Sequence, residues 1–393
     1  MPGSTVLDLL LILMLLVALV NGYRSGLLQS LTGIVGAVIG GIAAFFVVPL
    51  VGSWIPAPEW RTPGTIAVAI LLVLIGHSLG ASAGGMAGRR KRRSPLGTIN
   101  RVLGAAFAAV ASALVASMVA FSIGALGIPF LSPAIASSTV VSGIDSLTPD
   151  PVKALMAQLR SVAVTQGLPR IVDAFTGPTP DAAQADTSSP ALAVAAESVV
   201  RITGTAYDCG QSQSGSGFVV SDSRVITNAH VVAGVGQPVV ETRAGVALAG
   251  EIVYFDPIDD LAIISVPGLD TAPLTVGENL ATGSGAVAEG YPFGGPYVSD
   301  PARVIALGTV SVADIYGQDP TPRQVYTLAS DVQQGESGGP LLSESGLVVG
   351  VIFAKASNTE NVGYALALDE VSPVISQAPG LSTPVSSGTC VRG

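Results

Sequence analysis

Histidine and cysteine are scarce in this chain, with two of each among 393 residues. Only His230, Cys209 and Cys390 fall in the second half. A zinc site there would need both thiols, the one imidazole and a carboxylate, and no metal-ligand spacing joins them. No metal and no cofactor is expected. The cysteine pair favours one disulfide closing most of the second half over two buried thiols, and such a bond requires an oxidising compartment. Charge is also sparse, at 11 % of residues, where an ordinary soluble domain carries about a quarter. Cations in particular are short after residue 130, with ten Lys/Arg against twenty-five Asp/Glu, while residues 1–130 hold eight against two. The acidic second part excludes a nucleic-acid partner, whose phosphates need a basic footprint. Intrinsic disorder is excluded for most of the chain by its abundant Val, Ile, Leu and Ala.

What abounds is apolar sequence, 49 % of residues with a mean hydropathy of +0.61, and it is concentrated near the start. Four stretches, Val6 to Val20, Gly26 to Val51, Thr65 to Ala87 and Val102 to Leu126, approach or exceed the ~20 residues that cross a bilayer. The first lacks a basic leader and a small-residue cleavage site, so it is not expected to be a removed signal peptide. Arg89-Arg90-Lys91-Arg92-Arg93 separates the third and fourth stretches, and positive loops stay on the cytoplasmic side. With Arg24 also inside, the fourth span delivers the remainder of the chain to the outer face. Gly33, Gly36, Gly40 and Gly41, with Ala105, Ala106 and Ala109, allow close backbone approach. They point to a compact α-helical bundle rather than a pore. His77 in the third stretch is read as a helix-packing residue. Residues 1–127 are therefore expected to form a four-span membrane domain, resembling the colicin V production protein family.

Residues 128–190 change to Pro, Ser, Thr and Ala, a linker composition. Val152, Leu155, Met156, Leu159 and Val162 recur at helical spacing, so an amphipathic helix is expected over Pro151 to Gln166. Thr176 to Pro190 is poor in large apolar residues and is the easiest place for proteolytic processing.

From residue 191 to 393 the chain reads as short β-branched runs broken by Gly and Pro: Ser198 to Thr203, Gly217 to Val220, Val225 to Thr227, Val239 to Thr242, Gly250 to Phe255 and Leu261 to Val266. This is the spacing of an all-β barrel or sandwich. Three segments in it carry chemistry. Thr227-Asn228-Ala229-His230-Val231-Val232 follows a strand with the one histidine of this half, the obvious general base near neutral pH. Asp259-Asp260-Leu261-Ala262 puts a carboxylate ahead of an apolar strand, where it can orient an imidazole. Gly335-Glu336-Ser337-Gly338-Gly339-Pro340 surrounds a serine with glycines, which lets the amides of Gly335 and Ser337 converge on a developing oxyanion.

The order His, Asp, Ser, with TNAHVV, DLAII and GESGGPLL around them, resembles trypsin-like serine proteases of the chymotrypsin double β-barrel fold. The local wording is nearest to the bacterial high-temperature-requirement branch. The resemblance covers about Val199 to Val374. It implies His230 as general base, Asp260 as its orienting acid (Asp259 as fallback) and Ser337 as nucleophile, with the Gly335 and Ser337 amides as oxyanion hole. Asp331, six residues before the serine, falls where trypsin-like enzymes set the first specificity pocket. Glu336 stands where digestive members have an aspartate that receives a freed N-terminus, so activation by that route is not expected. Little chain remains after Val374, so no peptide-binding PDZ module is expected.

The whole arrangement resembles the membrane-anchored acid-resistance serine proteases of mycobacteria and related actinobacteria, and a Cys209–Cys390 disulfide fits that family. It implies a multi-pass protein of the cytoplasmic membrane with its protease domain on the periplasmic side. Such an enzyme would cut cell-envelope proteins, and its own linker, under acid and oxidative stress. The alternative is a protease-shaped sensor or scaffold of the envelope whose triad never aligns.

Overall fold

In a computed structural model of the chain, residues 2–54, 58–88, 95–124, 134–135, 138–149, 151–152, 170–171, 177–206 and 211–391 are described. The chain forms two compact units, Val6–Ser117 and Met118–Gly393 with Met1–Thr5.

The first unit is helical: α1 Pro2–Ser25, α2 Leu27–Trp54, α3 Pro58–Gly88 and α4 Pro95–Gly124. Gly26, in a left-handed conformation, breaks α1 from α2. Glycine lets the helices touch backbone to backbone. A Cβ on Gly36 would lie 2.1 Å from Gly76 O, one on Gly40 2.3 Å from Leu72 O, and one on Gly80 2.1 Å from Thr32 O. His77 lies over Gly33, whose Cβ would meet its ring at 2.9 Å, as a packing histidine would. Gly41 faces open space. Among the described residues three helices are long and apolar enough to cross a membrane, with windows Ser4–Ser25, Leu27–Ala44 and Gly97–Ser117, and the apolar part of α3, Leu71–Met86, is shorter. The charged start of α3, Glu59 and Arg61, lies outside that apolar part. The basic run 89–93 lies outside the described residues, as does all but the beginning of the helix expected over Pro151 to Gln166.

In the connector the composition concealed one helix, α5 (Thr139–Leu147), capped by Ser138, whose hydroxyl accepts the Val141 N–H at 3.1 Å. Arg170–Ile171 forms β1. Ser189 caps the short α6 (Pro190–Ala195), which has proline in its first turn.

The second unit is built from two sheets. The first contains β2 (Val199–Ala206), β3 (Gln211–Ser221), β4 (Arg224–Thr227), β5 (Val239–Glu241), β6 (Ala247–Ala249), β7 (Glu251–Asp256) and β8 (Leu261–Ser265), in the order β6-β5-β2-β3-β4-β8-β7. The second contains β9 (Gly285–Gly290), β10 (Val298–Val312), β11 (Thr321–Ala329), β12 (Pro340–Ser343), β13 (Val348–Ala356) and β14 (Val362–Ala367). Its order is β1-β13-β12-β9-β10-β11-β14, and β13 also pairs with β14, which closes the barrel. One core joins the sheets: Phe218, Ile226, Leu261 and Ile263 pack with Val287, Val325, Val351, Phe353 and Tyr364, and α8 (Leu368–Gln377) covers them with Val371 and Val374. Between β4 and β5 sits α7 (Ala229–Val232). The chymotrypsin-like arrangement of β-sheets expected from the sequence is thus present, the first sheet being curled rather than closed by any pairing among the described residues.

Candidate active site

The three chemical segments meet between the sheets. β4 ends at Thr227 and Asn228 begins α7, so His230 projects from one helical turn whose Ala229, Val231 and Val232 are buried. Asp260 follows a tight turn after β7 and sits at φ 53°, a left-handed conformation uncommon for a side-chain-bearing residue. Such strain persists at functional sites when the surroundings impose it, and here Asn228 Nδ2 donates to Asp260 O at 2.8 Å. The Asp260 carboxylate, 3 % exposed, accepts the His230 backbone N–H at 2.9 Å and receives Nδ1 at 2.7 and 3.0 Å. That arrangement fixes the proton on Nδ1 and leaves the lone pair on Nε2. Asp259 points elsewhere: its carboxylate is 40 % exposed and lies 3.8 Å from Arg323 of β11.

Ser337 lies in the turn before β12. Gly335 and Gly338 on either side adopt φ 97° and 83°, and neither has room for a side chain. A Cβ at Gly335 would lie 2.5 Å from Tyr291 O, and one at Gly338 2.3 Å from both Ser216 O and Thr227 Oγ1. The carbonyls are pinned: Gln334 O accepts Phe293 N–H at 2.5 Å, Gly335 O accepts Ser216 Oγ–H at 2.7 Å and Ser337 O accepts Ser216 N–H at 2.8 Å. Gly338 N–H donates to Ile352 O, and Gly339 O accepts Ile352 N–H. The N–H groups of Gly335 and Ser337 donate to no group among the described residues. The Ser337 hydroxyl is buried with no hydrogen-bond partner there. Geometry therefore brings His230 and Asp260 into direct contact and presents Ser337 beside the His-bearing turn without a bond to it. Catalytic hydrogen bonds of this kind commonly tighten only when substrate is bound.

Asp331 is exposed, its carbonyl accepting Gln333 Nε2 at 3.3 Å. Among the described residues no cysteine is free. A Cβ on Gly234, just past α7, would lie 2.7 Å from Cys390 Sγ; Cys209 lies outside the described residues.

Sequence reading missed a group of buried acids beneath this turn. Glu336, 1 % exposed, takes the Gln333 N–H on Oε2 at 2.5 Å, and Asp300 of β10 faces it. Burial raises the Glu336 carboxyl well above the ordinary range, and Asp300 is raised for the same reason. Glu289 of β9, also 1 % exposed, is pushed by burial up to about 7, with Tyr297, Ser299 Oγ–H at 3.4 Å and the charge of Arg243 opposing. Alternation along a β-strand hides these residues, since Glu289 and Asp300 read as ordinary polar positions until strand pairing places them.

A family model described as trypsin-like peptidase domain matches residues 215–351, and one described as colicin V production protein matches 7–149. Serine protease Rv3671c of Mycobacterium tuberculosis is 32 % identical over 403 residues, covering the whole of both chains. The putative serine protease HhoA of Synechocystis is 33 % identical over 165 residues, 41 % of each chain. The crystal structure of Rv3671c protease in its active form aligns with a TM-score of 0.53 and 37 % identity, over 58 % of this chain and all of that one.

Proposed function

Since the chain belongs to the trypsin-like serine protease family of Rv3671c, it is a serine endopeptidase carrying apolar N-terminal helices, and we propose that His230, Asp260 and Ser337 are its catalytic triad. The observation that carries this reading is the bidentate Asp260–His230 contact, set beside a serine whose own amide and that of Gly335 are unengaged among the described residues. His230 Nε2 takes the Ser337 proton as Oγ attacks the peptide carbonyl, and Asp260 stabilises the imidazolium that forms. The negative oxygen of the tetrahedral intermediate is held by the Gly335 and Ser337 amides, which are fixed in place before substrate arrives. His230 then protonates the leaving amine. Water, deprotonated by the same imidazole, releases the acyl group and restores Ser337.

The basic run at 89–93 supports an orientation with the protease outside, facing the periplasm, and four spans anchoring it. Substrates on that side are cell-envelope proteins and the enzyme's own linker, in a role in acid and oxidative stress resistance. Asp331 would favour a basic side chain in the first specificity pocket. The absence of a free cysteine among the described residues supports a Cys209–Cys390 disulfide, and the closeness of Cys390 to Gly234 would tie it to the segment that carries His230. The test is cleavage of an unfolded protein by the purified full chain, oxidised and reduced, against Ser337→Ala. Cleavage by wild type alone supports the triad, and loss on reduction supports the disulfide. Equal turnover by Ser337→Ala defeats the triad, and no turnover in any state favours the protease-shaped sensor.

A further inference from the structure

Glu336 precedes the nucleophile and has no room for a free charge. One oxygen holds the Gln333 N–H, and that bond with the Glu336 N–H to Gln333 O at 3.2 Å closes the turn that presents Gly335 and Ser337. The other oxygen, Oε1, is buried, and no N–H or permanently protonated group among the described residues reaches it. The side chain that meets the Glu336 carboxyl is that of Asp300, brought there by β10, whose Asp300 pairs with Ala288 of β9. Two carboxyls in a buried contact need a proton between them, because both ionised would repel without a cation to separate them. None acts on either among the described residues: the remaining ionisable group acting on both is Asp331, another acid. Glu289, the neighbouring acid on β9, pairs with Ser299 and so lies on the opposite face of the strand pair from Ala288 and Asp300.

We propose that Asp300 and Glu336 share one proton, and that this shared proton is a positioning device holding the turn Gln333–Ser337 in the shape that aims Ser337 and the two amides at substrate. Asp300 touches no reacting atom in this account; it acts through Glu336. When the proton leaves, the carboxylates separate, Glu336 withdraws from the Gln333 N–H and the oxyanion amides lose their convergence. The elevated affinity of both groups for a proton, caused by burial, keeps the device closed from acid to near-neutral pH and opens it as pH rises. The inference rests on Ser337 being the nucleophile.

The test is the rate of fluorophosphonate labelling of the full chain in detergent micelles, followed from pH 5 to 10 in wild type, Asp300→Asn, Glu336→Gln and Asp300→Leu. Each amide supplies a permanent N–H across the contact, so Asp300→Asn and Glu336→Gln should keep labelling at alkaline pH where wild type has lost tenfold or more. Asp300→Leu removes the donor without replacing it and should label slowly at every pH. The proposal is overturned if wild type shows no alkaline loss, if both amide variants lose rate over the same pH range as wild type, or if both are inert at every pH while wild type labels. If wild type itself takes no label at any pH, the assignment of Ser337 fails first, and the positioning role with it.

Discussion

Glu289 makes the stability of the protease unit depend on pH in a direction opposite to that of most proteins. Its carboxyl is raised by burial from an ordinary 4.5 to about 7, worth about 3 kcal/mol at ~1.4 kcal/mol per pH unit. Below about 4.5 the group is protonated in both folded and unfolded chains, and its contribution to stability is at its fullest. Between about 4.5 and about 7 the unfolded chain ionises while the folded one keeps its proton, so stability falls as pH rises, and above about 7 the loss is complete. Glu336 and Asp300, raised in the same direction, add to the trend. Glu289→Gln removes its share by leaving no charge to bury. Pulse proteolysis of the full chain in detergent across urea, at pH 5 and pH 8, reads the unit's stability directly. The wild-type midpoint should fall by roughly 1–2 M urea between the two, for an m-value of about 2 kcal/mol/M, and the Glu289→Gln midpoint by distinctly less. Equal falls in the two proteins, or a wild-type midpoint that rises with pH, would refute the reasoning.

The two neighbouring acids ahead of β8 should separate cleanly. Asp260→Asn loses the acceptor that fixes the His230 tautomer and should lower kcat by about ten-thousandfold, whereas Asp259→Asn, facing Arg323 and solvent, should stay within about threefold of wild type, a margin far below that of a lost triad member; steady-state peptide hydrolysis compares them. In the membrane unit, Gly36→Val drives a side chain into Gly76 O of the facing helix and should cost about 1–3 kcal/mol, seen as a lower melting temperature of helical circular dichroism in detergent. Gly41→Val, where nothing lies within 4 Å, should not move that transition.

Much of the site was readable in the sequence because its parts are local. The glycines around Ser337 announce a turn that needs positive backbone angles, and of the two neighbouring acids it is Asp260 that contacts His230. Strands with β-branched runs, such as β4 and β8, were found nearly to the residue, while the alanine-rich β6 was not, since its three residues have no β preference of their own and are held by pairing with β5. The helix α5 escaped because Ser138 and the following Thr-Val-Val look like linker until the cap is seen. The Glu336–Asp300 contact joins residues from separate strands, so local reading of the sequence did not bring them together. In the first unit the first stretch forms a full-length apolar helix, and among the described residues the apolar window of α3 is Leu71–Met86.

The central claim is that one serine does the chemistry, and mapping the covalent adduct tests it most directly. The full chain treated with a fluorophosphonate, digested and analysed by mass spectrometry should carry a single adduct on the peptide containing Ser337, absent from Ser337→Ala and strongly reduced in a His230→Ala chain. An adduct on another residue, or undiminished labelling of Ser337→Ala, would contradict the account.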